Sequence, residues 1–444
     1  NIKFIRYLYI DLDNVIRGRV STAENFESDA KTGLTLAAIM QSGFSLFDLV
    51  PPGTIFGAVG EARIMPDLKT FRIVPWLDGV AQVICDQYTR ELKVFEVDPR
   101  PKLKEYIANL KYQVLIGLEP EFYLFKRTEN GELVPYDKHL CFATSGMNLA
   151  HSFMVELKET LEKMGIEMDH YYPEYGMSQH EVSLKPASPV EAADNLIMFR
   201  EAVRGLCNKY GLVASFMPKP SDTLPGSGMH FHLSLNKGGK NITGSGGDRN
   251  AGKHILSEEG ASFLAGILKH AKALTVLMSP SVNSYKRLIP HFEAPVYICW
   301  GIGNRSAMVR IPEHDAVRGD VQIEIRCPDP SCNPYLALAG LLTAGLKGLE
   351  EGLEVPEPIN KNTYELNEKK LIELGVDKLP SSLGEAIEYA KRDSILKEAL
   401  GSALAEQFIK LKEAEWKAYL KFLQRTGEDG KGKITDWEYR EYLR

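Results

Sequence analysis

Short apolar runs separated by turn residues fill the first hundred positions. FIRYLYIDLDN from Phe4, TIFGAV from Thr54, FRIVPW from Phe71 and AQVICDQY from Ala81 predict strands, and KVFEVDPRPKL closes the region with two prolines. Helical spacing takes over afterwards. FMVELKETLEKMG, PVEAADNLIMFREAVRGLCNKYG and GASFLAGILKHAKALTVLM repeat apolar residues every three or four positions. Strand candidates lie between these helices, so the pattern predicts an α+β chain with a boundary near Asp98–Pro101. A small β-rich domain over 1–98 precedes a larger domain over 99–444. Gly238–Gly252 reads as a loop by composition, and the segment from Asn367 onward as charged helix. The apolar run Tyr335–Leu346 stops at Lys347, well short of the roughly 20 residues a membrane crossing needs, so it predicts a buried helix.

The middle of the chain adds an unusual pattern. LIGLEPEFYLF carries Glu119 and Glu121, GMHFHLSL carries His230 and His232, and VQIEIRCPD carries Glu324 and Arg326. Residues two apart on a strand share a face, so each segment aims two polar groups together while apolar neighbours fill the other side. YPEYGMSQHEVSL contributes Glu174 and Glu181. Each pair alone fits the wet face of an edge strand. Together, set among long apolar flanks, they are hard to leave in solvent, and buried carboxylates require a cation or hydrogen-bond partners. Five carboxylates and His230 form a hard, oxygen-rich set suited to Mg²⁺ or Mn²⁺. NSYKRLIPHFEAP adds Arg287 and Glu293, and GNRSAMVRIP adds Arg305 and Arg310. Carboxylate-held metals beside guanidinium groups are what phosphoryl transfer needs.

Charge and cysteine content narrow the classes. Lys plus Arg total 53 against 59 Asp plus Glu, a formal net charge of −6, leaving no basic surplus for nucleic acid. The six cysteines form no CxxC pair, which fits reduced thiols better than a zinc or disulfide framework. Reduced, mostly buried thiols are expected over a Cys327–Cys332 disulfide. The opening residues Asn1, Lys3 and Arg6 do not resemble a secretory signal, and a cytoplasmic setting without membrane or nucleic-acid partners is expected. Two motif matches mislead. Gly247–Lys253 has the glycine and lysine spacing of a phosphate loop, but His254 replaces the required Ser or Thr. GEDGKGKITDWE imitates a calcium loop, but Gly427 and Lys431 stand at two ligand positions, so a turn before the last helix is expected.

The words GLEPEFYLF, EYGMSQHEVSLK, FMPKP, GSGMHFHLSL, NSYKRLIPHFEAP, NRSAMVRIP and EIRCPDPSCNPYLALAGLL occur in this order, followed by EWKAYL and WEYREYL. In this succession the chain resembles the glutamine synthetase family over nearly its whole length. The resemblance implies an N-terminal β-grasp domain, then a catalytic domain whose curved antiparallel sheet lines a funnel. It implies stacked hexameric rings, a homododecamer in which each site is completed by the neighbour's N-terminal domain. By similarity, Glu121, Glu174 and Glu181 bind the metal beside the amino-acid substrate, while Glu119, His230 and Glu324 bind the metal at the ATP phosphates. Arg287 and Arg326 match the arginines that grip glutamate, with Gly226 in the adjoining loop. Arg305 and Arg310 match the phosphate-binding pair, and His232 and Ser234 match positions near the nucleotide. Glu293 resembles the acid that takes a proton from the incoming amine. The implied chemistry is attack of the glutamate γ-carboxylate on ATP, giving γ-glutamyl phosphate, then displacement of phosphate by an amine.

The chain departs from the family pattern unevenly. The DGSS-type loop that helps hold ammonium is replaced by SLFDLVPPGTIFGAVGEARIMPDL, in which only Asp48 has a counterpart. Pro225 stands where an Asn is usual, Gly319 and Gln322 replace a Lys and an Arg for which Arg318 is a possible substitute, and the adenylylation motif is not reproduced around Tyr364. Candidate metal and glutamate ligands are kept while the ammonium pocket is not. DLDNVIRGRV and the PGSGMH variant resemble γ-glutamylpolyamine synthetases and related γ-glutamylamide ligases. The expectation is therefore a glutamate–amine ligase, with ordinary glutamine synthetase as the alternative and a catalytically inactive ring-forming regulator behind both.

Overall fold

The computed structural model describes residues 1–37, 48, 50–54, 59–245, 254–292, 294–313, 320–430 and 432–443. The first sheet contains β1 (Phe4–Ile10), β2 (Ile16–Thr22), β3 (Leu34–Ala37), β4 (Glu61–Pro66), β5 (Arg72–Ile73) and β6 (Val80–Thr89). Its order is β2-β1-β6-β4-β3, with β5 on β6, and β1 and β6 run parallel. The helix Phe26–Thr32 packs on β4, which gives a β-grasp arrangement. Alternation along β6 divides its side chains between two cores. Ala81, Val83 and Cys85 join Ile5, Tyr7, Tyr9 and Ile64 in a small core, whereas Ile84 faces the main core of the molecule with Ile10, Ala62 and Val97.

Charged side chains seal the seam between this sheet and the rest. The buried Arg100 guanidinium donates to both carboxylate oxygens of Asp194 at 2.8 and 2.6 Å and reaches Asp86 at 2.5 Å and Asp67 at 3.0 Å. Lys104 binds the same Asp67 and Asp86. Lower down, Lys412 pairs with Asp13 and Glu415, both at 2.8 Å.

Among the described residues the second sheet has eleven strands. They are β7 (Gln113–Arg127), β8 (Leu133–Pro135), β9 (Met168–Pro173), β10 (Gln179–Ala187), β11 (Leu212–Ser215), β12 (Met229–Lys237), β13 (Lys240–Asn241), β14 (Tyr297–Ile302), β15 (Ala307–Ile311), β16 (Ile323–Ile325) and β17 (Asp377–Lys378). The path β17-β14-β15-β16-β12-β7-β10-β9 puts the four polar-paired segments at its centre. The expected antiparallel arrangement holds except at β14 and β15, which run parallel. The amphipathic helix Thr144–Lys163 and the largely buried Pro189–Tyr210 pack against it, and the buried Pro334–Glu351 packs on Pro189–Tyr210 in turn. The last begins where the Asn333 side chain accepts the Tyr335 and Leu336 N–H groups, and it ends at Gly352 in the left-handed region.

One expectation changes. The helix read from 260 to 278 is two, Glu258–Lys269 and Ala271–Met278, bent by 78° at His270, whose Nδ1 lies 2.8 Å from Asp393. Both halves are buried, so the apolar pattern runs through the bend without registering it. The strand β4 and the helix Phe26–Thr32 carry weak periodicity and were not expected. Residues 55–58 of TIFGAV and the phosphate-loop-like segment 247–253 lie outside the described residues. All six cysteines are free, and among the described residues no single helix is long and apolar enough to cross a membrane.

Candidate active site

Cross-strand register assembles the polar pairs. Glu119 on β7 lies opposite His230 on β12, Glu121 opposite Glu181 on β10, and His232 opposite Glu324 on β16, with Arg310 of β15 facing Glu324 in turn. The intervening Leu118, Phe122, Phe231, Ile323 and Ile325 turn the other way and are at most 2% exposed. The apolar alternation that builds the core thereby collects the charged groups on one face.

That face lines a cavity of about 130 Å³ containing Glu119, Glu121, Glu174, Glu181, Gly226, His230, Arg287, Arg305, Arg310, Glu324 and Arg326. His230 Nδ1 is 3.5 Å from Glu119 and 3.6 Å from Glu324, while its Nε2 is 3.9 Å from Glu121. Arg326 and Arg310 hold the two oxygens of Glu324 at 2.5 and 2.6 Å. Arg287 donates to the carbonyls of Cys327 and Arg326, which fixes its guanidinium at the cavity wall.

Two of the expected residues stand apart from this lining, and a third, Glu293, is not described. His232 is set just behind it, with Nε2 3.1 Å from Glu119, and belongs to the acid–imidazole cluster. Ser234 lies further along β12, where its hydroxyl accepts from Asn236 at 3.2 Å. Glu293 lies outside the described residues, between the cavity-lining Phe292 and Ala294.

Sequence reasoning missed several supporting residues. Gln179 donates to Glu121 at 2.8 Å and to the Gly226 carbonyl at 3.0 Å. It sits two positions before Glu181, so the same strand rule would have found it. Tyr172 donates to Glu181 at 2.5 Å, a contact set by pairing between β9 and β10. Gly228 allows close approach: a Cβ there would lie 2.7 Å from His230 Nε2 and 2.8 Å from both Arg287 Nη2 and Glu121 Oε1.

The acids divide electrostatically. Burial pushes Glu121 up to about 8, assisted by the charge of Glu174. Glu181 is driven well above the carboxylate range by burial and by Glu119, Glu121 and Glu174. Burial also disfavours the Glu119 anion, but His232 and His230 outweigh it and hold its carboxyl well below the usual range. Glu324 is likewise lowered against burial, by Arg326, His232 and Arg310. His230 falls to about 4 through burial and Arg326, which leaves a neutral imidazole. His232 rises to about 9 because Glu119 overcomes its burial.

Glu119, His232 and Glu324 have ligand atoms mutually within 4.8 Å, as do Glu119, Glu181 and His230. His232 Nε2 is buried without a hydrogen bond of good geometry, and Glu121 and Glu181 are acids in want of a cation. This donor set fits hard divalent ions.

The family described as "Glutamine synthetase, catalytic domain" matches residues 96–442. The chain belongs to the glutamine synthetase family. It is 39% identical to the glutamine synthetase of Pyrococcus abyssi over 99% of this chain and 96% of that one. It is 36% identical to that of Methanocaldococcus jannaschii over 100% and 95%. Among solved structures, the ADP complex of GmaS superposes with a TM-score of 0.82 at 27% identity over 100% of this chain and 97% of that chain. A structure described as a novel glutamine synthase homolog gives 0.84 at 26% identity over 100% and 99%. Family membership makes the protein an ATP-dependent ligase, and enzymes of this family use divalent metal ions.

Proposed function

We propose that the protein joins the γ-carboxylate of glutamate to an amine through γ-glutamyl phosphate, using Mg²⁺ or Mn²⁺. One observation carries this reading: five carboxylates and His230, four of the acids and the histidine on neighbouring strands and Glu174 in the turn after β9, line one small cavity with Arg287, Arg305, Arg310 and Arg326. In it, Glu121, Glu174 and Glu181 hold one ion beside the amino acid, and Glu119, His230 and Glu324 hold another beside the ATP phosphates. When bound, these ions neutralise phosphate oxygens. Arg287 and Arg326, with the Gly226 loop, hold glutamate as bidentate carboxylate partners. Arg305 and Arg310 stabilise the phosphoryl group in transfer, and Glu293 accepts the proton the amine loses on attack. The neighbourhood of His232 supports a part in holding Glu119, beyond the nucleotide contact expected of it with Ser234.

For the acceptor, the loss of the DGSS-type loop supports an alkylamine or polyamine. Residues 45–47, 49 and 55–58 of the replacing stretch lie outside the described residues, and its Asp48 is paired with Arg17 at 2.7 Å. The GmaS structures among the neighbours support glutamate–amine ligation as well. Ammonia is the second reading, favoured by identities of 36–39% to enzymes named glutamine synthetase. A homododecamer of two hexameric rings in the cytoplasm completes the proposal; the six free cysteines suit a reducing compartment.

Phosphate release with ATP, glutamate and a panel of putrescine, spermidine, a monoamine and ammonium tests the acceptor. Three or four buried methylenes at ~0.8 kcal/mol each should favour the right amine over ammonium by roughly two orders of magnitude in kcat/KM. A higher value for ammonium than for every amine establishes the glutamine synthetase reading instead.

A further inference from the structure

The opposite face of β7 and β10 carries a second group of ligand-type side chains. Because side chains alternate along β10, His180 points away from its neighbour Glu181 and into the core behind the sheet, where its ring lies 6.1 Å from that of Phe122. It meets Asp137 and His139 there, from the stretch that follows β8. The ligand atoms of these three residues all lie within 4.8 Å of one another, and all three residues are buried. The two imidazole rings are 5.2 Å apart, and Asp137 Oδ1 is 2.6 Å from His139 Nδ1.

Among the described residues, four polar atoms of the group have no hydrogen-bond partner: Asp137 Oδ2, His139 Nε2 and both ring nitrogens of His180. Native proteins nearly always satisfy such atoms when they are buried. Here the atoms belong to one carboxylate and two imidazoles, the donor types of a transition-metal centre rather than of a magnesium site. The cluster is also held in place. The Ser178 hydroxyl accepts from the Asp137 backbone N–H at 2.6 Å and donates to the Asp137 carbonyl at 3.0 Å. Gly146, at the start of the helix Thr144–Lys163, approaches so closely that a Cβ would lie 2.6 Å from that of His139. Donors at ~2.0–2.1 Å from a tetrahedral ion are about 3.4 Å apart, so a closure of at most about 1.4 Å would bring the three side chains to bonding distance, leaving the fourth position to a water.

We propose that Asp137, His139 and His180 bind one transition-metal ion of the zinc type, a structural centre separated from the catalytic carboxylates by the thickness of the sheet. Full-length protein stripped with chelator is reloaded with Zn²⁺ in excess Mg²⁺, which occupies the oxygen-rich site, then desalted and measured for metal content. Wild type should retain about one zinc per chain, as should Glu121→Gln, whereas Asp137→Asn and His139→Gln should retain less than about a tenth of that. Co²⁺ loaded the same way should give wild type the intense visible bands of a four-coordinate ion, a readout that decides the matter where a variant fails to fold. Wild type without retained zinc, retention by Asp137→Asn and His139→Gln equal to wild type, or only the weak spectrum of six-coordinate cobalt would each overturn the proposal.

Discussion

Gly228→Ala adds a single methyl at the point where three buried side chains converge. Its backbone is not in the left-handed region, so alanine brings no conformational strain and the effect is one of contact alone. The new Cβ would stand 2.7 Å from His230 Nε2 and 2.8 Å from Arg287 Nη2 and Glu121 Oε1. Comfortable contact needs about 3.5 Å, so each group must retreat by roughly 0.7–0.8 Å or the loop must swing out. None has much freedom: His230 and Glu121 stand on central strands, and Arg287 is tied to two carbonyls. A displacement near 1 Å in a catalytic constellation lowers the rate about a hundredfold, or ~2.7 kcal/mol of activation free energy. Overpacking adds ~1–3 kcal/mol of destabilisation. Phosphate release with ATP, glutamate and the preferred acceptor would be measured across a range of Mg²⁺ concentrations, with circular dichroism as a check on folding. The expected variant is folded, about a hundredfold slower in kcat/KM and saturated only at higher Mg²⁺. A variant within threefold of wild type at unchanged Mg²⁺ dependence would mean that the reacting centre lies elsewhere.

Arg326→Ala should weaken glutamate by ~2–5 kcal/mol while ATP affinity stays within about threefold; separate titrations of nucleotide and glutamate check this, and equal loss of both would place Arg326 outside a glutamate-specific role. At the seam beside the first sheet, burial acts to raise the Asp67 carboxyl, but Lys104 and Arg100 outweigh it and bring it down to about 2. Since its unfolded value is ~3.9, the stabilisation is complete above that pH and is lost as pH falls through the folded value. The stability difference between wild type and Asp67→Asn, about 1–2 kcal/mol at pH 7 after allowance for solvent screening, should shrink to about half near pH 3 in urea titrations; a constant gap would contradict the pairing.

The central strands were legible because the two-residue period is local: Glu119 and Glu121 declare a shared face without knowledge of what lies opposite. Which partner each meets is decided by the pairing of β7 with β10 and β12, whose register depends on segments more than a hundred residues apart in the case of His230. Tyr172 and Gly228 owe their roles to such pairings, and no local pattern marks them. Glu174 lies in the turn after β9, off any strand, and was visible only through the motif word around it. The bend at His270 escaped because burial on both sides erases the polar stripe that periodicity depends on. Asp137 and His139 show the two-residue spacing too, but among exposed and half-buried neighbours, where it signals nothing.

The directly opposed pairs of the central sheet also bear on how the chain avoids folding wrongly. Sliding β12 by one residue against β7 would exchange its faces, driving His230 and His232 into the helix-covered interior and presenting Phe231 and Leu233 to the cavity. The acids of β7, already crowded in the native arrangement, would then lose the imidazole partners that hold Glu119 ionised. A slipped sheet would strand charge on one side and expose aromatic surface on the other. The buried charged groups that line the cavity thus penalise neighbouring misfolds, so gathering them on one face of the sheet also favours a single register.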